Sequence, residues 1–383
     1  MKVGLTADQE LLVGTTRKYL QDTVPSDVLR QLRDRPDGYD PDYWAAGAEL
    51  GWAALLVAEE HGGGSVSGQG LRDLALVAYE FGRHASPGPL LTTNVVAEAL
   101  SRVGGDTYAQ PLEELVSGTA VGTWAYAEPT PHGGLGEVAT TAVADGGDWV
   151  LTGEKVAVEH GAQAAYLLVT ARTGDGLTQL LVPAGTPGVT VTPQKTIDVS
   201  RRFARVSLRE ARVPASALLG AAGAAAPEVE RQLRTALVIQ TAEMVGALDR
   251  VFELTMSWLS DRYSFGRPLA SYQALKHRVA DQKMWLETSH ALADAAALAV
   301  QEDDERAGEL VSVAKSYLAQ YGPELCQDSV QLHGGIGVTY EHDLHLYLRR
   351  VVLSSALFGT AREHRLRITS LLESRNSARK VQA

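Results

Sequence analysis

Three long segments, roughly 226 to 262, 270 to 301 and 304 to 332, contain few glycines or prolines and so dominate what this chain can become. Stretches of this length with so few helix breakers read as antiparallel helices of a bundle. Upstream the texture differs. From about 119 to 220 come short β-rich runs, Trp149-Val150-Leu151-Thr152, Tyr166-Leu167-Leu168-Val169 and Val189-Thr190-Val191-Thr192, punctuated by glycine and proline, as in a small antiparallel β domain. Before residue 119 the pattern is helical again. Thr6 with Gln9 three residues later forms a capping-box signature ahead of an amphipathic run from Asp8 to Leu20. A second helix carries Leu74, Val77, Ala78 and Phe81 and is expected to end at Gly82. Between the two, GWAALLVAEEHGGG reads as a helix end and a loop, with Trp52, Leu55 and Phe81 as core. The expectation is an α+β multidomain chain: an N-terminal α-helical domain over 1–118, a middle antiparallel β domain over 119–222 and a C-terminal four-helix bundle over 223–383.

At 383 residues the chain exceeds the size at which one hydrophobic core stops growing, which agrees with several packed units. A formal charge of −11 argues against a general affinity for nucleic acid or an anionic membrane. The lone cysteine, Cys326, rules out an internal disulfide and a thiolate metal cluster. The first residues lack an apolar run of signal-peptide type, and no charge-free apolar stretch of ~20 residues occurs. A cytoplasmic location is expected.

Three separated segments carry chemistry. Near the N-terminus stand LGWAALLVAEEHGGG and YEFGRHASPGPLL. In the β-rich part stand Ala127-Glu128-Pro129 and Gly153-Glu154-Lys155-Val156-Ala157-Val158-Glu159. Between the long helices stand Arg262-Tyr263-Ser264-Phe265-Gly266-Arg267-Pro268-Leu269 with Tyr272-Gln273, then Gln331-Leu332-His333-Gly334-Gly335-Ile336-Gly337, followed by Tyr340-Glu341 and Arg349-Arg350. Together and in this order, they resemble the acyl-CoA dehydrogenase family over almost the whole chain. The Arg-x-x-Phe-Gly-x-Pro and Gly-Gly-x-Gly segments carry most of that likeness. The resemblance implies FAD as cofactor and an acyl-CoA thioester as substrate. It also implies that Arg262, Phe265, Gln273, Gln331, Gly334 and Gly335 reach across a subunit interface to the adenosine diphosphate half of a flavin seated on a neighbour. A pyrophosphate needs a fixed cation and closely approaching backbone amides, which suits Arg262 and a glycine loop without β-carbons.

The family removes an α proton with a carboxylate while a hydride leaves the β carbon. In most members the base lies in a Tyr-Glu-Gly-Thr turn, and the matching turn here reads Leu357-Phe358-Gly359-Thr360, with Phe358 at the base position. The alternative family position, on an earlier bundle helix, falls near Ala236. Neither side chain can take a proton. The nearby Glu228 and Glu230 read as solvated helix-terminus charges, and Glu341 as structural. His342 and His345 lack the further convergent ligands of a metal site. On the flavin face, Ala157 and Glu159 replace the family's tryptophan and threonine, and an ionised carboxylate is expected there, an unfavourable neighbour for a reduced flavin. What contacts a flavin on the same chain is thus eroded, and what reaches a flavin on the neighbour is kept. By resemblance this is the base-lacking subunit of a heteromeric member, paired with a sister that carries the glutamate, as in members that degrade bulky sterol-like acyl-CoA esters. A self-sufficient, oxygen-using flavoenzyme and a homotetrameric dehydrogenase with a displaced base are the rival readings.

Overall fold

The computed structural model describes residues 4–129, 138–174 and 176–382, with backbone alone from 378. The helical N-terminal part comprises α1 (Ala7–Thr23), α2 (Ser26–Gln31), α3 (Pro41–Glu49), α4 (Gly70–Arg83), α5 (Leu90–Ala99) and α6 (Ala109–Val116). Thr6 caps α1 with the full reciprocal box: its hydroxyl accepts from the Gln9 N–H, and the Gln9 side chain accepts from the Thr6 N–H. Trp52, Leu55 and Phe81 are buried, as expected of core residues. Gly82 does not end its helix. α4 continues through Arg83, because Gly82 serves a crossing instead: a β-carbon there would lie 1.9 Å from the Glu243 carbonyl oxygen. Gly246 faces Tyr79 in the same way, at 2.0 Å. The paired glycines let α4 and the first bundle helix approach backbone to backbone.

Eight strands follow in one sheet: β1 (Gly122–Ala125), β2 (Thr141–Asp145), β3 (Asp148–Glu159), β4 (Tyr166–Thr173), β5 (Gly176–Pro183), β6 (Val189–Gln194), β7 (Phe203–Pro214) and β8 (Leu218–Leu219). Their order is β6-β7-β3-β2-β4-β5-β8, with β1 paired to β4. The sheet is antiparallel apart from β1 on β4 and a single β2–β4 pairing, which are parallel. β3 and β7 are the longest strands, and their register slips twice, between Leu151 and Gly153 and between Lys155 and Val158. The second slip is a bulge that holds Ala157 at φ +50°.

The bundle consists of the long helices α7 (Ala226–Asp261), α8 (Gln273–Gln301), α9 (Ala307–His333) and α11 (Ala361–Gln382), with the shorter α10 (Leu344–Ala356) against α7 and α9. A small hairpin, β9 (Tyr263–Ser264) with β10 (Arg267–Pro268), joins α7 to α8. One continuous apolar core runs from Leu12 through the sheet to Val351, so the helical and β parts are packed together. Among the described residues no helix is long and apolar enough to cross a membrane.

Candidate functional site

Both bundle signatures converge on one end of the bundle. Arg262 follows the last turn of α7, and its N–H donates to the Trp258 carbonyl at 2.9 Å. Its guanidinium lies 5.8 Å from the centroid of the Trp258 ring, and that ring stacks on His333 with centroids 5.5 Å apart and planes at 17°. His333 is the last residue of α9 and immediately precedes Gly334-Gly335. Among the described residues Arg262 has no carboxylate partner, so its charge is free to meet an anion from outside the chain.

The hairpin tip beside it is unusual. Phe265 and Gly266 both take positive φ, +51° and +79°, as a two-residue type I′ turn requires. A bulky aromatic residue in that region is strained, and the Phe265 ring is also 96% exposed. Gln273, Gln331, Gly334 and Gly335 are likewise on the surface. Gly334 has φ +65°, and a β-carbon at Gly334 or Gly335 would meet nothing within 4 Å. Nothing among the described residues demands a glycine at 335. The Gly334 N–H is taken by the Gln331 carbonyl, so what the loop offers is a backbone without β-carbons; with a free guanidinium and an uncovered aromatic residue it fits the diphosphate and base of a dinucleotide such as FAD.

On the β domain, the two matched segments meet through a buried ion pair. Lys155 Nζ donates to Glu128 Oε1 at 2.6 Å, and the Ala139 and Thr140 N–H groups donate to the same carboxylate. Burial alone would raise the Glu128 carboxyl, but the Lys155 hydrogen bond and charge hold it below the usual carboxylate range. The Ala157 side chain is exposed at the bulge, with its N–H donating to Gln194 Oε1 at 2.9 Å, and no ring stands there.

Glu159 departs from expectation. It is no open carboxylate on that face, because it is buried with Oε1 3.5 Å from Arg201 Nε. Arg201 also donates to Glu243 on α7, and the other Glu243 oxygen accepts from Arg350 Nη1 at 2.7 Å. Arg350, on α10, reaches Asp198 Oδ2 at 3.0 Å, the Ser86 carbonyl at 2.8 Å and the Ser200 hydroxyl. Two arginines thus face three carboxyl groups, one acid more than the cations can balance. Burial, opposed by Arg201, pushes the Glu159 carboxyl up towards its neutral form, while Asp198 is held down by Arg350 against its own desolvation.

The turn at the family's base position is held from both sides. Lys315 on α9 is fully buried and donates to Gln240 Oε1 at 2.6 Å, to the Leu357 carbonyl at 2.8 Å and to the Ser354 carbonyl, closing the C-terminal end of α10. His364 Nε2 meets the Phe358 carbonyl at 2.9 Å, and Thr360 with Glu363 forms a capping box for α11. Phe358 takes φ +57° and its ring stacks on Trp124, 6.0 Å away, which stacks in turn on Tyr126 at 4.7 Å. Phe358, Trp124 and Tyr126 thus form an aromatic column at this turn. Ala236 is fully buried within α7.

Profiles of the acyl-CoA dehydrogenase N-terminal, middle and C-terminal domains match residues 6–119, 123–208 and 231–372 respectively. The chain belongs to the acyl-CoA dehydrogenase family. It is 31% identical to the acyl-CoA dehydrogenase IpdE2 of Mycolicibacterium smegmatis over 95% of this chain and 98% of that one. For IpdE2 of Mycobacterium tuberculosis the figures are 32%, 92% and 96%. Among solved structures it is similar to the steroid ACAD Tcur3481–Tcur3483, in a variant form, at 29% identity, TM-score 0.88, and 97% and 99% coverage. The ChsE4–ChsE5 complex from Mycobacterium tuberculosis gives 27%, 0.88, 97% and 99%.

As an acyl-CoA dehydrogenase family protein the chain is a flavoprotein of oxidoreductase type, and FAD is the family's cofactor. Several residues that shape its site were not singled out from sequence. Glu243 and Lys315 are lone charges in apolar helical stretches, LVIQTAEMVGAL and LVSVAKSYLA, which is itself a signal of a buried partner. Asp198 and Arg201 gave no comparable signal. Glu230 is not a solvated charge, because it accepts from Arg234 Nε at 2.9 Å and from Arg367. Glu228 lies 3.8 Å from Arg102. Glu341 accepts from Arg30 through its backbone carbonyl. His342 Nδ1 accepts the Leu344 N–H, and His345 stacks on Tyr340. Glu98, which meets the Thr235 hydroxyl one residue before Ala236, is already engaged by Arg231.

Proposed function

We propose that this chain is the base-lacking subunit of a heteromeric FAD-dependent acyl-CoA dehydrogenase, and that it completes the flavin site of a sister subunit carrying the glutamate. The observation that carries this reading is Phe265, 96% exposed and strained at a hairpin tip beside an Arg262 that finds no anion among the described residues. An uncovered apolar ring in a costly backbone conformation is retained where something outside the chain uses it. FAD, when bound, accepts the hydride that leaves the β carbon of the acyl-CoA thioester. This chain's part is to hold that cofactor. Arg262 balances the diphosphate, the Gly334-Gly335 loop lets it approach the backbone closely, Phe265 covers the base, and the exposed Gln273 and Gln331 stand in the same two segments.

Phe358 and Ala236 leave this chain without a proton acceptor at either family position. The relatives lend support: ChsE4–ChsE5 is a complex of two named chains, and Tcur3481–Tcur3483 is a steroid ACAD. A bulky, ring-bearing acyl group on coenzyme A is accordingly the substrate class proposed for the assembly. Co-expression with a glutamate-bearing sister should yield a stable complex with about one FAD per two chains, since only one own-chain flavin face is complete. Flavin absorbance against protein concentration reads the ratio, and a value near one FAD per chain overturns the proposal.

A further inference from the structure

We infer that Trp258, which lies outside both bundle signatures, is the positioning residue that sets Arg262 and the Gly334-Gly335 loop in register for one anionic ligand, the diphosphate of a dinucleotide. This rests on the reading that the bundle end serves a flavin on a neighbouring chain. Trp258 sits one helical turn before Arg262, so its indole lies beneath the guanidinium as the chain leaves α7. The same indole stacks on His333, whose Nδ1 is fixed by the Ser329 carbonyl at 2.7 Å and whose ring edge meets His342 at 4.7 Å. Guanidinium, indole and two imidazoles thus form one column. Trp258 is the side chain in it that touches both segments.

The physical need is clear. Arg262 is exposed and, among the described residues, has no carboxylate to hold it, so its long side chain would otherwise sample many rotamers, and that freedom would be lost on binding. An aromatic face beneath a guanidinium restrains it without consuming its hydrogen-bond donors, which stay available to the anion. His333 leads directly into Gly334, whose conformation at φ +65° starts the loop. A residue that anchors His333 therefore also anchors the direction of the loop. The Trp258 Nε1 atom is buried without a hydrogen-bond partner among the described residues, so Trp258 is held in the column by packing and ring stacking.

The test uses the FAD-loaded assembly that contains this chain, with FAD affinity read from flavin fluorescence released on dilution. Trp258→Leu should weaken FAD about threefold to tenfold, the range of a partly desolvated cation–π contact, and Trp258→Phe should stay within about twofold of wild type. Arg262→Ala should weaken FAD more, and in that background Trp258→Leu should add little, because its effect runs largely through the guanidinium. Affinities that multiply independently, a phenylalanine variant as weak as the leucine one, or a leucine variant that does not assemble, each overturn the positioning role. If Arg262→Ala itself leaves FAD affinity unchanged, the trans-acting flavin site fails and this inference falls with it. Loss on Arg262→Ala with a silent Trp258→Leu removes only the role of Trp258.

Discussion

His160 carries a pH dependence into the fold. It is fully buried at φ +53°, edge-on to Tyr39 with centroids 5.3 Å apart, and burial, aided by Arg201 and Arg202, pushes its imidazole down to about 3. The unfolded chain binds that proton near the ordinary histidine value, so the contribution to stability is whole above about pH 6.5 and is lost as pH falls towards 3. Going from about pH 7.5 to about pH 5.5 should cost about 1.4 kcal/mol through this group alone. His160→Asn, which tolerates the same backbone conformation, should remove that share of the pH dependence in urea unfolding. An unchanged difference between the two pH values would refute the assignment. At the same scale, the positive φ of Phe358 is held through the backbone of its turn, by Lys315 on the Leu357 carbonyl and His364 on the Phe358 carbonyl, and not through its side chain.

Glycines of opposite kinds separate a crossing that makes the fold from the loop proposed to meet a ligand. At the α4–α7 crossing, Gly82→Ala would force a methyl group to within 1.9 Å of a backbone oxygen, and neither helix can yield, since Gly246 repeats the contact in reverse. A loss of about 3 kcal/mol or more, or failure to fold, is expected, read as a fall in Tm. Gly335→Ala meets open space. Its Tm should match wild type while the assembly releases FAD more readily, and equal effects of the two substitutions on Tm would contradict this division. The hairpin of β9 and β10 shows why the element matters: its two-residue turn projects Phe265 away from the chain that makes it.

Over the whole molecule, the Arg201, Arg350, Glu159, Asp198 and Glu243 cluster pins the β domain to the bundle, with Arg350 reaching 152 residues back to Asp198. Removing one partner leaves buried charge unbalanced. Arg350→Met should therefore cost about 3–5 kcal/mol in urea unfolding, whereas Arg205→Met, which breaks the half-exposed pair with Glu154, should cost under about 1 kcal/mol. Similar losses for the two would show that the cluster is not the staple between domains.

Much of this architecture was written locally. The capping box at Thr6, the long bundle segments with few helix breakers, the Arg-x-x-Phe-Gly and Gly-Gly-x-Gly segments, and the absence of a carboxylate at Phe358 and Ala236 are patterns within a few residues of one another. Helix propensity and turn chemistry act over that range, so such features are legible before any fold is known. The tertiary structure alone decided that Gly82 is a crossing point and not a helix end, that Glu159 lies in a buried ion cluster, that Glu230 is paired, and that Trp258 joins the two signatures. Each depends on side chains distant in sequence meeting in a low-dielectric interior, where burial and partner set charge state and role together.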